Sequence, residues 1–154
     1  MLNAYGVLKF LHVLSVIFWI GGVTSVAMLT WRVARERNRP ALNAMLKQAI
    51  AYGQWIVGPA SGIVLLTGLT MVGAWHLGFT TLWVLWGFGG VIVQALLGGF
   101  LLRQRGAELA RVAADPSADD TALIGAAQRL WRTQLLYLAL LATVVAAMVL
   151  KPTF

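Results

Sequence analysis

Residues 10–31 read FLHVLSVIFWIGGVTSVAMLTW, and the reading of that stretch decides the fold. It contains no Asp, Glu, Lys or Arg, and its one titratable side chain of ordinary range is His12. At about 1.5 Å per residue a helix of this length covers about 33 Å, enough to cross the about 30 Å hydrocarbon slab of a bilayer. An ionisable group inside such a helix is costly against lipid and by default faces protein or a cofactor, so His12 is the first candidate for function.

The whole chain agrees with that reading. It has 154 residues, 60% of them hydrophobic and only 11% charged, with a mean hydropathy of +0.80, far more apolar than a soluble domain of this size. The stretch runs on into the basic WRVARERNR rather than a small-residue cleavage site, so the helix is expected to be retained rather than removed as a signal. A net charge of +7 would suggest nucleic acid in a soluble protein. Here the basic residues border apolar segments, which points to membrane topology and anionic lipid headgroups, with no nucleic-acid partner. Cysteine is absent, which excludes disulfides, thiolate metal sites and iron–sulfur clusters. Any metal must rely on His, carboxylate, Met or a cofactor.

Four spans are expected, at about residues 7–31, 49–75, 79–102 and 133–150, giving an all-α, four-helix transmembrane bundle in a single integral membrane domain over 1–154. Arg32, Arg35, Arg37, Arg39 and Lys47 follow the first span, and Arg103, Arg105, Arg111, Arg129 and Arg132 follow the third. Lys9 and Lys151 lie at the other side. The asymmetry places both basic connections in the cytoplasm and both termini on the non-cytoplasmic side, as expected of a multi-pass protein of the bacterial inner membrane. The polar stretch ADPSADD (114–120) is flanked by RGAELARVAA and IGAAQRLWR, read as short interfacial helices. Trp31, Trp55, Trp75, Trp83 and Trp131 fall near expected membrane boundaries, as anchoring rings do.

Lipid tails are as apolar as leucine, so small residues that let backbones approach must drive helices together. Gly87, Gly90, Gln94 and Gly98 share one side of the third span, and Gly58, Gly62, Leu65, Leu69, Val72 and His76 one side of the second. Such faces serve ordinary helix packing, a homodimer contact, or a thinned wall beside a flat cofactor.

His12 and His76 are the only histidines, and the topology puts both towards the outer side. His12 is read either as a buried imidazole bonded to a neighbouring helix or as a metal ligand, His76 either as a turn residue beside Trp75 or as a second ligand. Two histidines are too few for a closed Zn or Cu site but suffice for haem, whose porphyrin supplies the other donors. Lys9, one turn before His12, and Lys151 at the outer end of the fourth span are candidates to pair with propionates, and Trp19, two turns inward, to stack on a porphyrin. Met71 and Met148 are outer-half thioethers, either core filler or weak axial ligands.

Lys9-Phe10-Leu11-His12 followed by Phe18-Trp19-Ile20-Gly21-Gly22 resembles the first helix of the superfamily that holds HemJ-type protoporphyrinogen oxidases and CopD-type copper-resistance proteins. The ending Val149-Leu150-Lys151-Pro152-Thr153-Phe154 is similar to the K-P-F ending of the HemJ type. Gly58-Pro59-Ala60-Ser61-Gly62, Leu66-Thr67-Gly68-Leu69 and Leu82-Trp83-Val84-Leu85-Trp86-Gly87 resemble a family of uncharacterised bacterial integral membrane proteins. The resemblance implies a four-helix bundle, haem b as cofactor, and His12 as the helix-one haem histidine. HemJ-type proteins also carry a third-helix lysine needed for haem binding and activity, and residues 78–102 contain none, so protoporphyrinogen oxidation does not carry over. The second axial position then falls to His76, a methionine, or an open site.

The five acids, Glu36, Glu108, Asp115, Asp119 and Asp120, all lie in the basic connections away from the histidines, which excludes a hydrolytic site of paired carboxylates. The expected function is a membrane haem-b protein in electron transfer or redox chemistry near the outer leaflet, with a quinone or small oxidant as partner. If it is an enzyme, it is a haem-dependent oxidoreductase. The alternatives are a cofactor-free structural or accessory protein, including a homodimer, and copper transport or resistance.

Overall fold

The computed structural model describes residues 3–75 and 81–151, and every regular element among them is helical. α1 (Ala4–Arg35) is followed by α2 (Arg39–Tyr52), a π-helical turn (Gly53–Val57) and α3 (Gly58–Ala74), which together make one continuous rod. α4 (Leu82–Leu96), a second π turn (Leu97–Leu102) and α5 (Arg103–Ala114) make the next, and α6 (Asp120–Leu150) closes the bundle. The four rods, Ala4–Arg35, Arg39–Ala74, Leu82–Ala114 and Asp120–Leu150, are each long and apolar enough to cross a membrane. The protein is a multi-pass, lipid-embedded helical bundle.

Local chemistry sets the boundaries. The Asn3 side chain caps α1 by accepting from the Tyr5 amide at 3.1 Å, Asn38 caps α2 through the Ala41 amide at 3.1 Å, and Asp119 caps α6 through the Ala122 amide at 2.8 Å. Arg37 turns the chain between α1 and α2 with a left-handed φ of 55°. Pro59 lacks an amide hydrogen and its ring crowds the preceding turn, and the π turn just before it relieves that conflict without breaking the rod.

α1 packs between the second rod and α6, and α6 packs on α1 and on the third rod. Gly87 and Gly90 face α6 at Met148 and Val144, where any Cβ would collide, and Gly98 faces Tyr137. The glycine side of the third rod is therefore used inside the bundle. Of the expected face of the second span, Val72 alone is buried among the described residues, and the inward side is otherwise a different one. Ala60, Val64, Thr67 and Val72 turn inward, whereas Leu69 is exposed and Gly62 meets nothing within 4 Å.

The basic end also differs from expectation. RGAELARVAA and IGAAQRLWR are not separate interfacial helices but the continuation of the third and fourth rods. α6 alone, with 31 residues, is about 46 Å long and overshoots the hydrocarbon slab. The overshoot packs as a helical extension with its own core of Ala34, Leu42, Leu46, Leu109, Leu123 and Leu130. Arg39 ties its loops: the guanidinium donates to the carbonyls of Val112 (3.1 Å), Asp115 (3.1 Å) and Ala118 (2.7 Å). Glu108 accepts from Arg105 at 3.0 Å and Arg129 at 2.7 Å, joining α5 to α6.

Candidate functional site

His12 projects from α1 towards α3, half-buried, and its Nδ1 lies 2.9 Å from Thr67 Oγ1. The Thr67 hydroxyl is 2.6 Å from the Ile63 carbonyl oxygen and 3.2 Å from that of Val64. A carbonyl can only accept, and two oxygens approach this closely only with a proton between them, so Thr67 donates to Ile63. The lone pair of Thr67 then accepts from Nδ1–H of His12. With Nδ1 protonated, Nε2 of the neutral imidazole carries the free lone pair. This is the arrangement in which a histidine is held for ligation: one ring nitrogen fixed by a hydrogen bond, the other presented.

Gly68 completes the wall. A Cβ there would sit 3.5 Å from His12 Cε1, so the imidazole lies next to bare backbone. Thr67 and Gly68 are the residues that sequence reasoning did not assign to the site. The signal was two hydroxyls, Thr67 and Thr70, in the apolar run GIVLLTGLTMV, but choosing Thr67 as the partner of His12 required the register between two antiparallel helices.

A second polar layer lies further in. Trp19, 3% exposed, donates through Nε1 to the Tyr137 hydroxyl at 2.9 Å, and Gln94, fully buried, donates through Nε2 to the Tyr137 carbonyl at 2.9 Å. Trp19, Tyr137 and Gln94 thus join α1, α6 and α4 at one level, around a core of Ala60, Val64 and Leu141. The Trp19 indole sits in this layer with its N–H already bonded.

The other expected site residues lie towards the helix ends. Lys9 is exposed on α1, and Lys151 ends α6 in a left-handed turn with its Nζ 5.4 Å from the centre of the Trp83 ring. Tyr5 and Trp75 meet edge to face at 5.0 Å, at the same end of the bundle. His76 lies outside the described residues. Among the described residues no three His, Asp or Glu side chains converge as a metal site, so a cofactor here must bring most of its own donors.

Residues 6–152 match a family model described as a predicted integral membrane protein (DUF2269). The chain belongs to that family. No curated protein and no solved structure matches it. Membership in the DUF2269 family agrees with the four rods and places the His12 and Thr67 pair within the matched region.

Proposed function

We propose that the protein is a membrane haem-b protein in which His12 Nε2 ligates the iron. The observation that carries this reading is the Thr67 hydroxyl, which accepts the hydrogen bond from Nδ1–H and leaves Nε2 as the only free ring lone pair of that histidine. The donor set fits: a porphyrin needs one or two axial ligands from protein, and a fixed neutral imidazole on a Cβ-free wall at Gly68 is one. Lys9, one turn away on α1, and Lys151 would pair with propionates, and His76 would offer the second axial nitrogen. Haem bound there supplies one-electron redox chemistry, for exchange with a quinone or small oxidant. Thr67 and Gly68 orient the ring, and the Trp19, Tyr137 and Gln94 layer holds the helices that carry it in fixed register. The basic helical extension, by the positive-inside asymmetry, faces the cytoplasm of a bacterial inner membrane, and the His12 end faces outward.

The test is purification in mild detergent after expression with ample haem, followed by a reduced-minus-oxidised spectrum. Soret and alpha bands are expected from the wild type, none from His12→Ala, and about 10- to 100-fold weaker haem retention from Thr67→Val. Colourless wild-type protein, or bands that survive His12→Ala, would sink the reading.

A further inference from the structure

Two hollows open on the outer surface of the bundle, one where α1 meets α6 and one at the basic end of α1. One, of about 620 Å³, is almost wholly apolar and is walled by Ile20, Thr24, Ala142, Val145, Ala146 and Val149 among others. The other, of about 380 Å³, is formed by Trp31, Arg32, Arg35 and Glu36 at the basic end. They belong to one track. Ile20, Thr24, Trp31 and Arg35 are four, seven and four residues apart, which confines them to a sector of about 60° on α1. Trp131, Leu138, Ala142, Val145 and Val149 occupy an equally narrow sector of α6, about 60° wide. Between the hollows the rings of Trp31 and Trp131 stack across the seam, centroids 5.8 Å apart at 18°.

The ends of the track differ in charge. Arg32 is engaged by Glu36 at 3.3 Å, whereas Arg35, exposed, has no acidic partner among the described residues. The basic hollow therefore keeps one uncompensated positive charge. By helix rise, Arg35 and Ile20 are about 22 Å apart along α1, close to half the about 40–45 Å of a whole bilayer with its headgroups. From Arg35 to Ile20 the track matches one leaflet in length, from headgroup layer to midplane, and in polarity, from cationic through aromatic to apolar, and its α6 wall runs on past the midplane to Val149.

We infer that this seam binds one anionic phospholipid from the leaflet at the basic end. Its phosphate lies against Arg35 and Arg32, its glycerol esters pack on the stacked tryptophans, and one acyl chain fills the groove down to Ile20 and Val145. Charge complementarity selects the occupant: a zwitterionic lipid leaves Arg35 uncompensated, and a soluble anion leaves the apolar groove to bulk lipid.

Native mass spectrometry of the full chain, released from mixed micelles holding equal phosphatidylglycerol and phosphatidylcholine, tests this. One phosphatidylglycerol is expected to be retained in at least about fivefold preference over phosphatidylcholine. Arg35→Gln, on an exposed residue, and Ala142→Phe, which fills the groove without changing charge, are each expected to cut that retention at least about threefold while helical circular dichroism is unchanged. Equal retention of the two lipids would overturn the inference, as would wild-type retention by either variant, because the occupant must use both ends. Competition by soluble glycerol phosphate as effective as by the lipid would overturn it too, assigning the hollow to a free anion.

Discussion

The same four rods solve two different packing problems along their length. In the extension at the basic end, Leu42, Leu109 and Leu123 are fully buried, and the charged rim is organised by Arg39, Glu108 and Arg129. In the apolar half the close contacts are instead glycines against Met148 and Val144, and the interior holds bonded polar groups: His12 with Thr67, Trp19 with Tyr137, and Gln94 with the Tyr137 backbone. The difference follows from the solvent. Where water surrounds the helices, removing leucine surface from it is the driving force; where lipid does, leucine gains nothing by turning inward, and close approach and hydrogen bonds decide the register.

Substitutions can break or sharpen that contrast. Leu109→Ala, at a fully buried position of the extension, is expected to cost about 2–5 kcal/mol, measured by reversible denaturation in detergent, and a cost near zero would show that the extension has no water-excluding core. In the apolar half the matching test adds bulk rather than removing it. Gly90→Leu drives a side chain into Val144 and should lose about 1–3 kcal/mol, whereas Gly89→Leu on the same helix, with nothing within 4 Å, should be near neutral. Equal effects at the two positions would mean that α4 does not pack on α6 through this face.

Tyr137→Phe removes the acceptor of the Trp19 indole and should cost about 1 kcal/mol, since hydrogen bonds between membrane helices are individually modest. A blue shift in the Trp19 contribution, obtained by difference from Trp19→Phe, should accompany it, and its absence would argue against the bond.

The smallest effect is set by pH at the loop that ties the extension. The Ser117 hydroxyl and amide hold the Asp115 carboxyl below the usual range, and the Thr121 hydroxyl with the Ala122 amide does the same for Asp119. A depressed folded-state pKa means that the stabilisation is present above the unfolded value, about 4, and is lost as pH falls through the folded one. Hydrogen-exchange protection factors at residues 115–122, taken relative to intrinsic exchange at each pH, should therefore fall below about pH 4, while those of the apolar half are unchanged. Unchanged protection of the loop at low pH would contradict these contacts.

Much of this architecture was legible in the letters, because a 20-residue apolar run has few fates. The four rods and their approximate apolar limits follow from hydropathy, and the use of Gly87, Gly90, Gln94 and Gly98 as a packing side follows from their spacing. The extension was less visible: RGAELARVAA is too polar overall to read as membrane helix, and its buried Leu109 and Ala113 mark only a narrow apolar stripe. The inward face of the second span was misplaced because the neighbours of Gly58 and Gly62 depend on how α3 is rotated against α1. His12 was legible as an anomaly, but its tautomer was not, since that depends on Thr67, 55 residues away in the chain.

That tautomer is the point on which the functional reading turns. Nitrogen-15 NMR of the haem-free protein in lipid nanodiscs, labelled at histidine and assigned with His12→Ala, distinguishes a protonated ring nitrogen from a bare one. A pyrrole-type Nδ1 carrying the proton and a pyridine-type Nε2 are predicted for His12, with that pattern lost in Thr67→Val. A proton on Nε2 in the wild type would contradict it, because the nitrogen meant for iron would then have no lone pair to give.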